Sequence, residues 1–394
     1  MEGPDAFDES EVESLLARLV RCPSTQTERF EADPGIQSYL RETVAGAAID
    51  LGLEPHFDSM GNLVVSVGQG RRRALIFAYA MTHPANRMRE PFSPTVRLGP
   101  DGRRWMRGRG VAEQKAAVAA ALLAVAALRR RESELDGELV VCVSTAGETG
   151  RHDAARAFLS AFGEPRFDWA VVALGTGNQI GLGNKGRLDV LLTVRGRASH
   201  SSTPWAGLDA IVGARRALDR LESLRLSGSH PQLGSPTLTA TAFRSSPDAT
   251  HTVQDEVRIT LDRRLLPGDD PERALAELRA SVEGLGDWGV ELEPGPFMYP
   301  SAVAAEAPVV LLLEEAASEL GASPLGHLWS HGAIDAGYFN QQAIPAVMLG
   351  PGAPEMFHTD DESVALAEVA FAARLYAAAA RKHLTAMNPE GDSG

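Results

Sequence analysis

At 394 residues the chain exceeds the size at which one hydrophobic core stops growing, so two domains are expected. Apolar residues at 44% and charged residues at 23% exclude a disordered chain, and a net charge of −14 disfavours phosphate backbones and anionic lipid as partners. Two distant cysteines, Cys22 and Cys142, exclude a disulfide framework or a zinc ribbon.

The acidic stretch from Met1 to Glu13 lacks the basic-then-apolar pattern of a secretory leader. The longest apolar run, Ala116 to Leu128, is too short for a bilayer core of about 30 Å, so a cytoplasmic protein is expected. Apolar spacing of three and four predicts a helix over Glu9 to Val20 and another from Gly35 to Leu51. β-rich runs follow at Asn62 to Val67, Ala74 to Ala78, Glu138 to Val143 and Trp169 to Leu174. Among them lies an alanine-rich helix, Glu113 to Arg131, with arginines in its last turn. Strands alternating with helices predict an α/β fold, a largely parallel sheet flanked by helices.

Near Gly186 the pattern changes. Strand Arg187 to Val194, helix Leu208 to Leu224, strands Thr237 to Phe243 and Glu256 to Leu261, helix Pro271 to Glu283 and strand Gly289 to Glu293 follow in turn. This β-α-β-β-α-β order is ferredoxin-like and long enough to form its own α+β domain. After Pro300 the first pattern returns, with helix Pro308 to Leu320, strand Ala346 to Leu349 and a closing helix Val364 to His383. The expected division is residues 1–185 with 301–394 as one discontinuous α/β domain and 186–300 as an insertion; Met387 to Gly394 is expected to fray.

In such a sheet the working residues gather on loops at the carboxyl ends of strands. Those loops hold Tyr79, Met81 and His83; Arg109, Gly110 and Glu113; Gly147 and Glu148; Leu174 and Thr176; His331, Gly332 and Asp335; and His358.

Five segments then point one way. Arg21-Cys-Pro-Ser resembles an opening Arg-x-Pro-Ser, and Arg107-Gly-Arg-Gly-Val-Ala-Glu-Gln-Lys115 resembles Gly-Arg-Gly-x-x-Asp-x-Lys. Arg197-Ala-Ser-His-Ser-Ser-Thr-Pro204 resembles Lys-x-x-His-x-x-x-Pro, and Asp262-Arg-Arg-Leu-Leu-Pro-Gly268 resembles Asp-x-Arg-x-x-Pro-Gly. Ile344-Pro-Ala-Val through Phe357-His-Thr-Asp-Asp-Glu362 resembles a closing Pro-x-x-x-x-Gly…His-x-x-x-Glu block. Each match is weak alone, but their order is that of the aminoacylase–carboxypeptidase family of metallopeptidases, which includes acetylornithine deacetylase and succinyl-diaminopimelate desuccinylase. The resemblance runs through nearly the whole chain. It implies two zinc ions about 3.5 Å apart, bridged by the water that attacks an amide carbonyl.

The departures are concentrated. Against the family's Gly-His-x-Asp-Thr-Val-Pro the chain has Ala78-Tyr-Ala-Met-Thr-His-Pro84, so Tyr79 stands for a site-one histidine and Met81 for the aspartate that orients it. Glu113 stands for the shared aspartate, Gly147 for the general base and Leu174 for the later site-one carboxylate. What remains is Glu113, Glu148 and His358, a set able to hold one divalent ion, zinc first, or to form a metal-free polar pocket. Losing the base and the second metal would slow ordinary hydrolysis severely, since general-base catalysis alone is worth about 10²–10⁴-fold.

The resemblance further implies that His200 reaches across a homodimer to steady an oxyanion, and that Arg264 grips a substrate carboxylate; a strand arginine paired with Asp262 is the alternative. His251 stands where the family has asparagine, and Gly332 lies on a loop that offers backbone N–H groups. Tyr79 either donates to an oxyanion or fills the vacated space. His83 is either solvated or a substitute base. The expected activity is on an amide or acyl bond of a small carboxylate-bearing substrate, with Glu148, Glu113 and His200 as working groups, one metal or none, and non-hydrolytic acyl chemistry open. A non-catalytic binding protein is the second reading.

Overall fold

Four strongly apolar runs, Leu63–Gly68, Arg72–Tyr79, Gly137–Ser144 and Trp169–Ala173, become neighbouring strands because residues such as Val65, Ile76, Val141 and Val171 have no solvent to face on either side. The computed structural model describes residues 7–147, 149–163, 166–322 and 324–385. It divides into two compact units, Met1–Gly183 with Val303–Leu328 and Tyr338–Gly394, and Asn184–Ala302 with Trp329–Gly337.

In the first unit the Arg72–Tyr79 strand pairs in parallel with Gly137–Ser144 on one side and Trp169–Ala173 on the other, and Ala346–Met348 extends the parallel set. Leu63–Gly68 joins antiparallel to Gly137–Ser144, and Ile180–Asn184 joins antiparallel to Ala346–Met348. The sheet is therefore mixed, with a parallel centre and antiparallel margins, where the sequence predicted a largely parallel one. The parallel centre matters for function, because the loops after Tyr79, Ser144, Ala173 and Met348 all leave the same edge.

Helices flank this sheet. Lys115–Arg129 is apolar all round and buried from Lys115 to Leu128, packed between Glu9–Arg21 and the closing helix Leu366–Leu384. A capping box of Asp8 and Glu11 starts the first helix. No helix of the described residues is long and apolar enough to cross a membrane.

The second unit is a four-stranded antiparallel sheet in the order Thr237–Ser246, Glu256–Leu265, Gly186–Arg195, Gly289–Met298, with helices Ala210–Ser223 and Pro271–Val282. This is the ferredoxin-like order. Period-two alternation sends Leu188, Val190, Leu192 and Val194, and Val257, Ile259 and Leu261, into one core with Ala214, Ala217, Leu275 and Leu278 of the helices. Asp209 and Asp270 cap the two helices through their side chains.

Candidate active site

The site grows from one buried carboxylate. Glu362 is fully buried and accepts from Arg109 Nη1 at 2.9 Å, Gly110 N at 2.9 Å, Ala112 N at 2.9 Å and Glu113 N at 3.3 Å. Arg109 is itself fully buried and also donates to the Ala85 carbonyl. The carboxylate thus takes up the orphan N–H groups ahead of the Lys115–Arg129 helix and fixes the 109–113 loop. Behind this loop Gly175 N donates to the Glu113 carbonyl at 3.2 Å. A Cβ on Gly352, whose φ is +93°, would lie 2.3 Å from the Ala112 oxygen, so only glycine lets the 350–352 turn close on the loop.

Glu113 is thereby held nearly buried, with Oε1 3.1 Å from His358 Nε2. His358 adopts φ +61°, an uncommon conformation for a side-chain-bearing residue. On the far side of its ring lies His83, stacked at 3.8 Å between centroids and 16° between planes. His83 Nδ1 is 3.0 Å from the Pro84 carbonyl oxygen and 3.5 Å from Asn86 Nδ2. Asn86 Nδ2 donates to the His358 carbonyl at 3.4 Å.

The positions expected to hold the other metal have a different character. Tyr79 is 5% and Met81 1% exposed, and the Tyr79 ring meets Phe77 edge-on at 5.6 Å. A Cβ added at Gly147 would lie 2.3 Å from Met81 Cβ. A side chain at position 147 would therefore meet the backbone and Cβ of residue 81, a contact that does not depend on methionine being the residue there. Leu174 offers no donor atom for a metal. This half of the pocket does not fit a metal ion. The other half does, as far as it is described: Glu113 and His358 present an oxygen and a nitrogen side by side. Glu148, the expected third ligand and a catalytic candidate, lies outside the described residues. Among the described residues no group of three or more His, Cys, Asp or Glu comes together as a metal cage.

Beneath the site Lys115 is fully buried, donating to the Leu19 carbonyl at 2.8 Å and the Cys22 carbonyl at 2.6 Å, with the Tyr39 ring 4.6 Å away. Burial pulls its ammonium down to about 7, opposed by Cys22 and Glu362.

In the second unit His200 and His251 come together, their rings 6.3 Å apart across the short Ser199–His200 and Thr252–Val253 pairing. Both are exposed, and His200 Nδ1 lies 2.8 Å from Ser202 Oγ. Arg264 forms a two-point pair with Asp262 at 2.7 and 2.9 Å, the arrangement given above as the alternative to carboxylate binding. Gly332 N donates to Ser330 Oγ at 3.0 Å, so this N–H already has an acceptor. Asp335 is buried. The sequence reading gave no role to Glu362, although it ends a quoted motif, nor to Asn86. Glu362 stood out only as an acidic residue four positions after His358, and Asn86 had no signal beyond its loop.

The sequence profile of peptidase family M20/M25/M40 matches residues 82–382. The chain is 27% identical over 372 residues to a succinyl-diaminopimelate desuccinylase of Methylobacterium radiotolerans, covering 90% of this chain and 92% of that one. The fold matches an M20 family metallo-carboxypeptidase from Sulfolobus solfataricus with a TM-score of 0.75 at 18% identity, covering 96% and 99% of the two chains. It also matches a dinuclear metal-binding M20 peptidase of Bacillus subtilis, with a TM-score of 0.68 at 16% identity over 95% and 98% of the chains.

Proposed function

The chain belongs to peptidase family M20/M25/M40, and from that premise we propose that it acts on an amide or related acyl bond of a small substrate bearing a carboxylate, by a route without the second metal and without the family's general base. That route favours acyl transfer, condensation or cyclisation over ready hydrolysis, because Gly147 carries no side chain that could activate water. The observation that carries the reading is the contrast within one pocket. Glu113, on a loop pinned by buried Glu362, is kept 3.1 Å from His358, while Met81, Gly147 and Leu174 supply neither a carboxylate nor a base.

One divalent ion, zinc first, would sit on Glu113 and His358 with Glu148, and when bound it would polarise the acyl carbonyl. Without an ion Glu113 pairs with His358 directly at 3.1 Å, and Tyr79 and His83 border the acyl group. His200 would steady the oxyanion from a second copy of the chain. Arg264, His251 and Gly332 are proposed contacts for the substrate carboxylate, which Arg264 would take in exchange for Asp262. The setting is proposed to be cytoplasmic and the assembly a homodimer through the inserted unit. Support for the homodimer comes from its Thr237–Ser246 edge strand, which is largely exposed.

The test is purified protein incubated with N-acyl amino acids, with and without zinc and with and without an amine acceptor, read by mass spectrometry alongside metal content. Product that depends on the acceptor, and falls at least 100-fold in Glu113→Gln and His358→Gln, supports the reading. Saturable binding without product in any condition overturns it in favour of a binding protein, a reading that the apolar lining by Met81 and Leu174 favours.

A further inference from the structure

The pocket has lost several groups, but it has also acquired one. In the pattern Gly-His-x-Asp-Thr-Val-Pro the residue before proline is valine, and here it is His83. Its ring lies face to face with His358 at 3.8 Å and 16°. The two rings come from loops far apart in sequence.

We propose that His83 is a positioning residue that fixes the plane of the His358 imidazole through ring stacking. This rests on the reading above, in which Glu113 and His358 are the working pair. Three observations carry it. First, His358 sits at φ +61°, a strained conformation for a non-glycine residue that persists only where surroundings hold it. Second, the contacts that hold it come from different directions: Glu113 on the Nε2 edge, His83 on the ring face and Asn86 on the backbone carbonyl. Third, His83 has partners of its own besides His358, its Nδ1 lying 3.0 Å from the Pro84 carbonyl oxygen and 3.5 Å from Asn86 Nδ2. An imidazole gripped at one edge only can rotate about that contact. A second ring on its face opposes that rotation and holds the plane of the imidazole.

Stacking needs a flat ring and not a basic nitrogen, so the inference separates His83→Phe from His83→Ala. The experiment uses the full-length protein with histidines labelled at Cε1. The His358 signal is assigned by its loss in His358→Gln. A stacked neighbour shifts the His358 Cε1–H signal upfield through its ring current. The expected result is a downfield move of that signal in His83→Ala and a signal near the wild-type position in His83→Phe. Turnover of any substrate found should fall about 10-fold in kcat in His83→Ala, with KM little changed, and recover in His83→Phe. No movement in His83→Ala would show that the rings do not stack in solution and would overturn the inference. Equal movement in both variants would overturn it as well, by showing that the nitrogen matters and not the ring face. Should no substrate be turned over, the proposed activity fails while the resonance shifts still decide the role of His83.

Discussion

At the scale of single residues, the strongest constraint on the site is the Arg109–Glu362 pair, with both side chains fully buried. A buried ion pair contributes little over an apolar replacement, but removing one member leaves an uncompensated charge in low dielectric. Glu362→Gln is therefore expected to lower stability by about 3–5 kcal/mol in urea unfolding. Arg264→Ala, which breaks a partly exposed pair, should cost well under half of that. Equal losses in the two variants would show that burial of Glu362 is not what matters. The same carboxylate aims the Glu113 loop, so its loss should also displace the Glu113–His358 contact.

Lys115 gives a second residue-level expectation, with a defined sign. Its ammonium is pulled to about 7 by burial, from an ordinary 10.5. Between those values the unfolded chain holds a proton that the folded chain has released. The contribution of this group to stability therefore rises with pH, and the burial penalty is fully present below pH 7. Comparing wild type with Lys115→Met by urea unfolding, the difference should move by roughly 2 kcal/mol in favour of wild type from pH 7 to pH 9. A flat difference would mean that the two carbonyl acceptors and the Tyr39 ring hold the proton in place.

At the scale of elements, the Lys115–Arg129 helix shows how composition sets packing. Alanines on every side let it lie between the Glu9–Arg21 and Leu366–Leu384 helices, and the closing helix itself carries the run Ala377 to Ala380. Such close packing leaves no room for growth. Ala120→Leu, at a fully buried position, should cost about 1–3 kcal/mol, although leucine is a good helix former. A neutral result in a urea titration followed by helical signal would indicate slack between the helices.

Elements with strong patterns were legible in the sequence: the apolar central strands, the alanine-rich helix and the β-α-β-β-α-β insertion each occupy nearly the residues expected. Those missed have physical reasons. The hairpin of Thr95–Leu98 and Arg104–Arg107 is short and polar, and it is completed by Ser363–Ala365 from far along the chain, so neither strand shows an alternating apolar face. The strand Ile180–Asn184 was hidden by its glycines. A Cβ at Gly181 would sit 2.8 Å from Met348 Cβ, so packing demands the residue that propensity disfavours. In the site, Tyr79, Met81, Gly147 and Leu174 were legible in the sequence as departures from the groups that the resemblance implies at those positions. The His83–His358 stack was not, because two residues 275 positions apart carry no shared pattern; only the fold brings them into contact.

At the scale of the whole molecule, the question is whether two copies associate, and the two edges of the inserted sheet answer differently. The Gly289–Met298 edge is guarded: Pro294 and Pro296 interrupt it, its register shifts between Pro294 and Phe297, and Arg279 donates to the Leu292 carbonyl at 3.0 Å. The Thr237–Ser246 edge also has a register shift, between Ala240 and Ala242, but it runs for ten residues without proline, is rich in threonine, carries one charge, Arg244, and is mostly exposed. An edge of this kind is a template for another strand, and a second copy supplies an identical one with twofold symmetry. The net charge of −14 opposes any such pairing at long range, so added salt should strengthen it by screening over about 8 Å at physiological ionic strength. Light scattering at micromolar concentration is thus expected to give twice the chain mass in physiological salt and a smaller dimer fraction in low salt. Thr239→Lys with Thr241→Lys, both at exposed positions of that strand, places four like charges across a symmetric pairing and should yield a monomer with unchanged secondary structure. A dimer that survives these lysines would move the interface away from this edge. A wild-type monomer in all salts would remove the second copy that His200 needs for its proposed role.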